Sequence, residues 1–277
     1  MLFGAHISAA GGLSNAPKNA AALGLECFQF FSRPPQGGRV GPIPPAEIKT
    51  FLELCEQHGF SSYYIHAPYI INLASKEERI RNSSIELLRG ELERGSLLRT
   101  YGVMFHPGSA SGVGEEKGIE LVVEGIKKIL HGYKGTTRFL IEISAGAGMV
   151  IGDTFEEVRA ILDGVDDERM GVCFDTAHAF ASGYDLRDAD AVAKTMKTFD
   201  KVIGLDRLEM SHCNDSKVGL GERRDRHEHL GKGMIGIDGF RAIVGSKAFK
   251  KVNLILETMP DEVAEDLAVL RRLRDGK

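Results

Sequence analysis

Residues 138–178 read RFLIEISAGAGMVIGDTFEEVRAILDGVDDERMGVCFDTAH. The ends of this stretch, RFLIEIS (138–144) and GVCFDTAH (171–178), are short and almost continuously apolar, as in strands buried on both faces. Between them, Thr154 followed by Glu157 marks a capping box that opens a helix running through Leu162. Strand, helix and strand in that order form a parallel βαβ unit.

The unit repeats in both directions. Upstream stand LFGAHIS (2–8), CFQFFS (27–32), YYIHAP (63–68) and VMFHPG (103–108); downstream stand LEMSHCND (208–215) and NLILET (253–258). Helical patterns fill the gaps. PPAEIKTFLELCEQHG (44–59) begins on Pro, stops at Gly, and sets Ile48, Phe51, Leu52 and Cys55 on one face. Further helices are expected over 77–100, 116–132, 188–199, 238–249 and 260–274. Eight strands alternating with helices predict an α/β fold closed into a (β/α)₈ TIM barrel, one domain over residues 1–277. An open doubly wound sheet is disfavoured, because no glycine-rich nucleotide fingerprint follows the first strand. RPPQGGRVGPIPP (33–45) is a βα loop and not a hinge.

Composition excludes some functions. The formal charge of −4 argues against coating nucleic acid by bulk charge, while leaving room for a local basic patch. No apolar run approaches the ~18 residues of a membrane span, and the N-terminal MLFGAHISAAGG lacks a basic leader region. Cys27, Cys55, Cys173 and Cys213 form no CxxC pair, which fits a reduced cytoplasm.

The strand ends carry the chemistry, since barrel active sites sit at the C-terminal ends of strands. Here those ends read His66, His106, Glu142, Asp175 with His178, His212 with Asp215, and Glu257; the loop after the seventh strand adds Asp225 and His227. One histidine at a strand end is more often a hydrogen-bonded structural residue than a ligand. Five of the nine histidines, joined by carboxylates over six strands, form a coincidence that independent structural roles do not require. Buried carboxylates need positive compensation, and metal cations with mixed imidazole–carboxylate ligands supply it. Asp225 and His227, two apart in an extended segment, face the same way and could chelate one ion. Asp175 and His178, three apart, could serve neighbouring ions. The number of ligands points to two or three ions, an arrangement suited to phosphoryl-ester hydrolysis.

The motifs GAHISAAGG (4–12), FHPGS (105–109), CFDTAHAFASGYD (173–185), SHCNDSK (211–217), DRHEHLGKGMIG (225–236) and LILET (254–258) closely resemble those of the bacterial endonuclease IV family. The resemblance runs from Phe3 to about Asp261. It implies a barrel with three zinc ions that cuts the phosphodiester 5′ to an abasic site and leaves a 3′-hydroxyl. His66, His106 and Glu142 would hold the first ion. Glu142 would bridge to a second, completed by Asp175, His212 and Glu257, and His178, Asp225 and His227 would hold the third. Mn²⁺ is an admissible occupant at one or more sites. Glu142 is also the catalytic candidate, orienting the nucleophile that metal binding makes available at neutral pH.

The expected partner is double-stranded DNA containing abasic sites, with no membrane and no obligatory protein partner. Tyr69 and Ile70 match the position of side chains wedged into the base stack. The loop after strand two departs from the family: Gln36 stands where an inserted arginine is usual, flanked by Arg33 and Arg39, and the chain has no Trp. The strand-five motif departs too, with Glu142 followed by Ile143-Ser144-Ala145-Gly146. Lys217, Arg223, Arg224, Arg226 and Lys232 could form a phosphate-binding rim, of which Lys217, Arg224 and Arg226 are the expected DNA contacts. His6 and Ser8 are read as substrate-facing or supporting residues, and His229 as a non-ligand. The alternative reading is a divalent-metal sugar isomerase or epimerase of the xylose-isomerase-like barrel class, which would not require His178, Asp225 and His227. A non-enzymatic DNA-binding barrel is disfavoured, because unneeded buried acids are a liability.

Overall fold

Eight parallel strands close a barrel: β1 (Phe3–Ile7), β2 (Cys27–Phe30), β3 (Tyr63–His66), β4 (Gly102–Phe105), β5 (Arg138–Glu142), β6 (Met170–Cys173), β7 (Leu208–His212) and, after a two-stranded hairpin, β10 (Asn253–Leu256). Strand β10 pairs back onto β1 with Leu254 beside Phe3, completing the ring. This is a computed structural model describing residues 1–38, 40–259 and 261–276. Each of the eight expected strands is present. The hairpin pairs β8 (Asp215–Ser216) with β9 (His227–Glu228) in antiparallel register.

The helices surround the barrel: α1 (Asn15–Ala22), α2 (Pro45–Gln57), α3 (Glu78–Leu98), α4 (Glu115–Leu130), α5 (Phe155–Val165), α6 (Thr176–Ala181), α7 (Ala189–Val202), α8 (Gly236–Gly245) and α9 (Val263–Arg274). Two were not expected. Helix α1 is only eight residues long and contains Pro17, so it is too short to show a helical period; α6 is shorter still and directly follows β6. The helix expected over 238–249 is split: α8 ends at Gly245, Ser246 is extended, and its hydroxyl accepts from Ala248 N to start a 3₁₀ turn at Lys247–Phe249. The final helix starts at Val263, and Pro260, its expected first residue, lies outside the described residues.

At the start of α5, Thr154 accepts from the Glu157 amide as expected, but Glu157 does not reach back to Thr154. Its Oε2 takes the Gly152 N–H at 2.5 Å, so the carboxylate ties the β5 loop to the helix. Burial pushes the Glu157 carboxyl up to about 7. An acid raised on folding contributes stability that is complete below its unfolded value near 4.5 and lost as pH rises through 7. Glu157→Gln keeps an acceptor for Gly152 without that charge. Its melting temperature is expected to match the parent near pH 4 and exceed it by about 2–4 °C at pH 8; melts across that range check it.

Alternate residues of the strands separate two apolar cores. Phe28, Ile65, Val103, Phe139, Val172 and Leu254 face the helices. Cys27, Tyr64, Met104, Leu140, Cys173, Met210 and Ile255 pack against one another inside the barrel, one from each strand except β1. Strand β1 contributes Gly4 at this level, where a Cβ would lie 2.2 Å from the Cys27 carbonyl oxygen.

Candidate metal centre

Successive inward side chains on a strand are two residues apart. Two residues beyond each member of the inner apolar layer stand Gln29, His66, His106, Glu142, Asp175, His212 and Glu257, and two beyond Gly4 stands His6. The barrel interior thus changes in one step from an apolar layer to a wholly polar one, at the C-terminal ends of the strands. Strand spacing alone brings ligands from six strands to one level.

Glu142 lies at the centre and is fully buried. Its Oε1 is 2.8 Å from His212 Nδ1, while its Oε2 is 3.5 Å from His66 Nε2 and 3.3 Å from His106 Nε2. The two oxygens therefore serve two different groups. His212 Nδ1 also faces Glu257 Oε2 at 3.3 Å and Asp175 Oδ2 at 3.8 Å. Burial opposes ionisation of Glu142, yet the adjacent His106 and His212 hold its carboxyl well below the ordinary range. Against the same opposition, His212 and His66 bring Glu257 down to about 2.

The third group grows from a helix cap. Asp175 is the N-cap of α6, and its Oδ1 accepts from the His178 amide at 2.7 Å, so the i, i+3 spacing is cap geometry. His178 Nε2 lies 3.3 Å from Asp225 Oδ1 and 3.3 Å from His227 Nε2; His227 Nε2 is 3.4 Å from the same Asp225 oxygen. Strand β9 carries His227, and the hairpin folds this loop over the barrel mouth. Asp215 holds the hairpin in place. Fully buried, it accepts the backbone N–H groups of Ser216, Gly231, Gly233, Ile235 and Gly236. The arrangement keeps Asp215 out of the ligand groups.

Ring orientation is set from outside these groups. His66 Nδ1 donates to Ala67 O at 2.6 Å and His178 Nδ1 to Ile143 O at 2.9 Å, leaving each Nε2 to face the centre. Two buried amides were missed in the sequence. Asn214 donates to Asp175 Oδ2 and accepts from the Glu257 amide; Gln29 contacts both His212 and Glu257. An amide within an apolar run does not announce itself as part of a polar site. Cys173 Sγ also lies near Glu142 and His212, where burial pushes its thiol up to about 12, and it belongs to the inner apolar layer one step below the polar one.

These residues fit divalent cations. Glu142 Oε2 is buried and accepts no hydrogen bond, although two imidazole nitrogens face it. Four carboxylates and five imidazoles converge, with no lysine or arginine of the described residues paired to them. Cations between the facing atoms would satisfy both the orphaned oxygen and the accumulated negative charge.

Residues 17–273 match the model of the family described as Xylose isomerase-like TIM barrel. A relative from Methanosphaera stadtmanae named "Probable endonuclease 4" is 42% identical over 275 residues, covering 98% of both chains. The chain belongs to the endonuclease IV family. The crystal structure of endonuclease IV from Thermus thermophilus superposes with a TM-score of 0.90 at 36% identity, covering 100% of each chain. A D-tagatose 3-epimerase-like protein has a TM-score of 0.74 at 20% identity, covering 99% of this chain and 97% of its own, and shares the fold alone.

In this endonuclease IV family member the loops around the mouth expose large apolar side chains. Tyr69 is 65% and Ile70 50% accessible, beside the buried His66. The β2 and β3 loops are packed together: Tyr69 N donates to Pro35 O, and Ile70 lies where a Cβ on Gly37 would meet it at 2.2 Å. Gly37 also has φ +81°, so the glycine serves both the turn and the Ile70 contact. Gln36 is exposed on the same loop.

Arg33 is placed differently from the sequence expectation. Its guanidinium forms an ion pair with fully buried Glu91 on α3 and is only 9% exposed, so it anchors the loop and does not stand free for phosphate. Arg39 lies outside the described residues. In the long loop, Arg223 is tied to Asp153 and Gly146 O, and Lys232 to Glu262. Among the described residues, Arg224 has no carboxylate partner and Arg226 bonds only the Asp225 carbonyl; Lys217 is 3.9 Å from Glu228. No helix among the described residues is long and apolar enough to cross a membrane.

Proposed function

We propose that this protein is a zinc-dependent phosphodiesterase that cuts DNA 5′ to abasic sites and leaves a 3′-hydroxyl. The carrying observation is Glu142, whose two oxygens face separate histidine and carboxylate groups, with a third group of His178, Asp225 and His227 at 3.3–3.4 Å beside them. His66, His106 and Glu142 would hold one ion; Glu142, Asp175, His212 and Glu257 a second; His178, Asp225 and His227 a third. The third group also favours this reading over a sugar isomerase, which has no need of it. When bound, the metals supply a nucleophile at neutral pH and offset charge on the phosphate and leaving oxygen.

The chain's own residues do the rest. Glu142 orients the attacking water from a site closed to solvent on its inner side. Tyr69 and Ile70 offer exposed apolar surface to the gap left by a missing base. Lys217, Arg224 and Arg226 face phosphates. Gln36 occupies the tip of the β2 loop, where a neutral amide replaces a cation.

The test is a metal count with nicking assays on abasic and intact duplexes. About three zinc ions per chain and cleavage confined to the abasic duplex are expected. A single magnesium or manganese with no nicking would favour the isomerase reading, and equal cleavage of intact DNA would sink lesion specificity. Two arginine variants separate anchoring from DNA contact. Arg33→Ala leaves Glu91 buried with the Ser32 hydroxyl but without its ion-pair partner, and is expected to cost about 3 kcal/mol of stability by denaturant titration. Arg224→Ala should leave stability unchanged and reduce the salt dependence of DNA binding by about one counterion.

A further inference from the structure

The polar layer has one residue from each barrel strand, and two of these, His6 and Gln29, are outside the proposed ligand groups. Gln29 is fully buried. Its Nε2 lies 2.7 Å from Glu257 Oε1 and 2.8 Å from His6 Nδ1, and its Oε1 lies 2.7 Å from His212 Nε2. A carboxylate only accepts, so the NH₂ end must be the one facing Glu257. The amide oxygen then faces His212, whose Nε2 must carry the hydrogen. Nδ1 is left as the ligand nitrogen, and it is Nδ1 that faces Glu142, Glu257 and Asp175. Both amide hydrogens are spent, one on Glu257 and one on His6.

We propose that Gln29 is a positioning residue for the metal centre, a single amide that fixes the tautomer of His212 and aims Glu257. This rests on the metal reading above. Ligands from adjacent strands β7 and β10 are thereby presented to the same ion by a residue on β2. Strand β2 contributes no ligand of its own, and this is its part in the centre. The dependence is specific to one ion. His66 and His178 are oriented by main-chain carbonyls that no side-chain replacement removes, whereas His212 is oriented by a side chain. Partners of this kind are worth about 10–100-fold in metal affinity.

The experiment measures zinc release from the loaded protein to a chromophoric chelator, for wild type, Gln29→Leu and Gln29→Asn. Leucine removes every polar contact. Asparagine keeps an amide but draws it back by one methylene, so that it cannot span all three partners, and it decides the matter if the leucine variant fails to fold. In both variants one zinc should leave about 10–100-fold faster while the others keep wild-type rates, with nicking falling in step with that one zinc. Wild-type release of every ion would overturn the proposal. So would equal acceleration of all ions, which marks general loosening of the barrel. A wild-type protein that holds no zinc would overturn the metal reading itself, and that result is visible before any variant is compared.

Discussion

Glu142→Gln is expected to lower nicking of an abasic duplex by at least about a thousandfold, equivalent to about 4 kcal/mol of transition-state stabilisation. The substitution preserves shape but removes the negative charge that faces both the His66–His106 pair and His212. An amide offers one acceptor where the carboxylate offers two, so one of the two groups must meet an NH₂ instead of a ligand oxygen. The metal count should drop as well, while the barrel stays folded because its apolar layer is untouched. Steady-state nicking, elemental analysis and circular dichroism measure the three quantities. A variant with full activity would remove Glu142 from its assigned role.

Stripping the metals is expected to have the largest effect on stability. Four carboxylates of the proposed ligand groups, three of them fully or mostly buried, would lose their positive partners together. Linkage gives the scale: a ligand at a thousand times its dissociation constant stabilises by about 4 kcal/mol. For a domain of this size that corresponds to a fall of about 10 °C in melting temperature for one ion, and more for several. Melts with and without excess chelator, followed by zinc re-addition, check both the loss and its reversal. Unchanged melting after confirmed metal removal would mean that the carboxylates are balanced by something else.

The metal layer was legible because it follows the strand period. In Tyr64-Ile-His66, Met104-Phe-His106, Leu140-Ile-Glu142, Met210-Ser-His212 and Ile255-Leu-Glu257, an inward apolar residue is followed two positions later by a ligand type. Eight apolar runs gave the barrel for the same reason. What escaped was long-range or lacked a type signature. Gln29 reads like any residue of an apolar run, although it repeats the same two-residue step after Cys27. The Arg33–Glu91 pair joins residues 58 apart, so no local pattern distinguishes an anchoring arginine from a phosphate-binding one. Helix α1 and the β8–β9 hairpin are too short or too uniform in polarity to show a period.

The inner apolar layer also turns the barrel into a vessel with one opening. Among the described residues, Cys27, Tyr64, Met104, Leu140, Cys173, Met210 and Ile255 seal it from below, which leaves an ion the mouth bordered by Tyr69, Ile70 and the hairpin loop as its way in and out. DNA would lie across that same mouth. Substrate and metal then share a doorway, and exchange of the ions becomes a traffic problem as well as an affinity problem. A bound, uncleavable abasic duplex is expected to slow chelator stripping at unchanged intrinsic affinity. Stopped-flow zinc release with and without the duplex measures it, and equal rates would mean that the ions have a second way out.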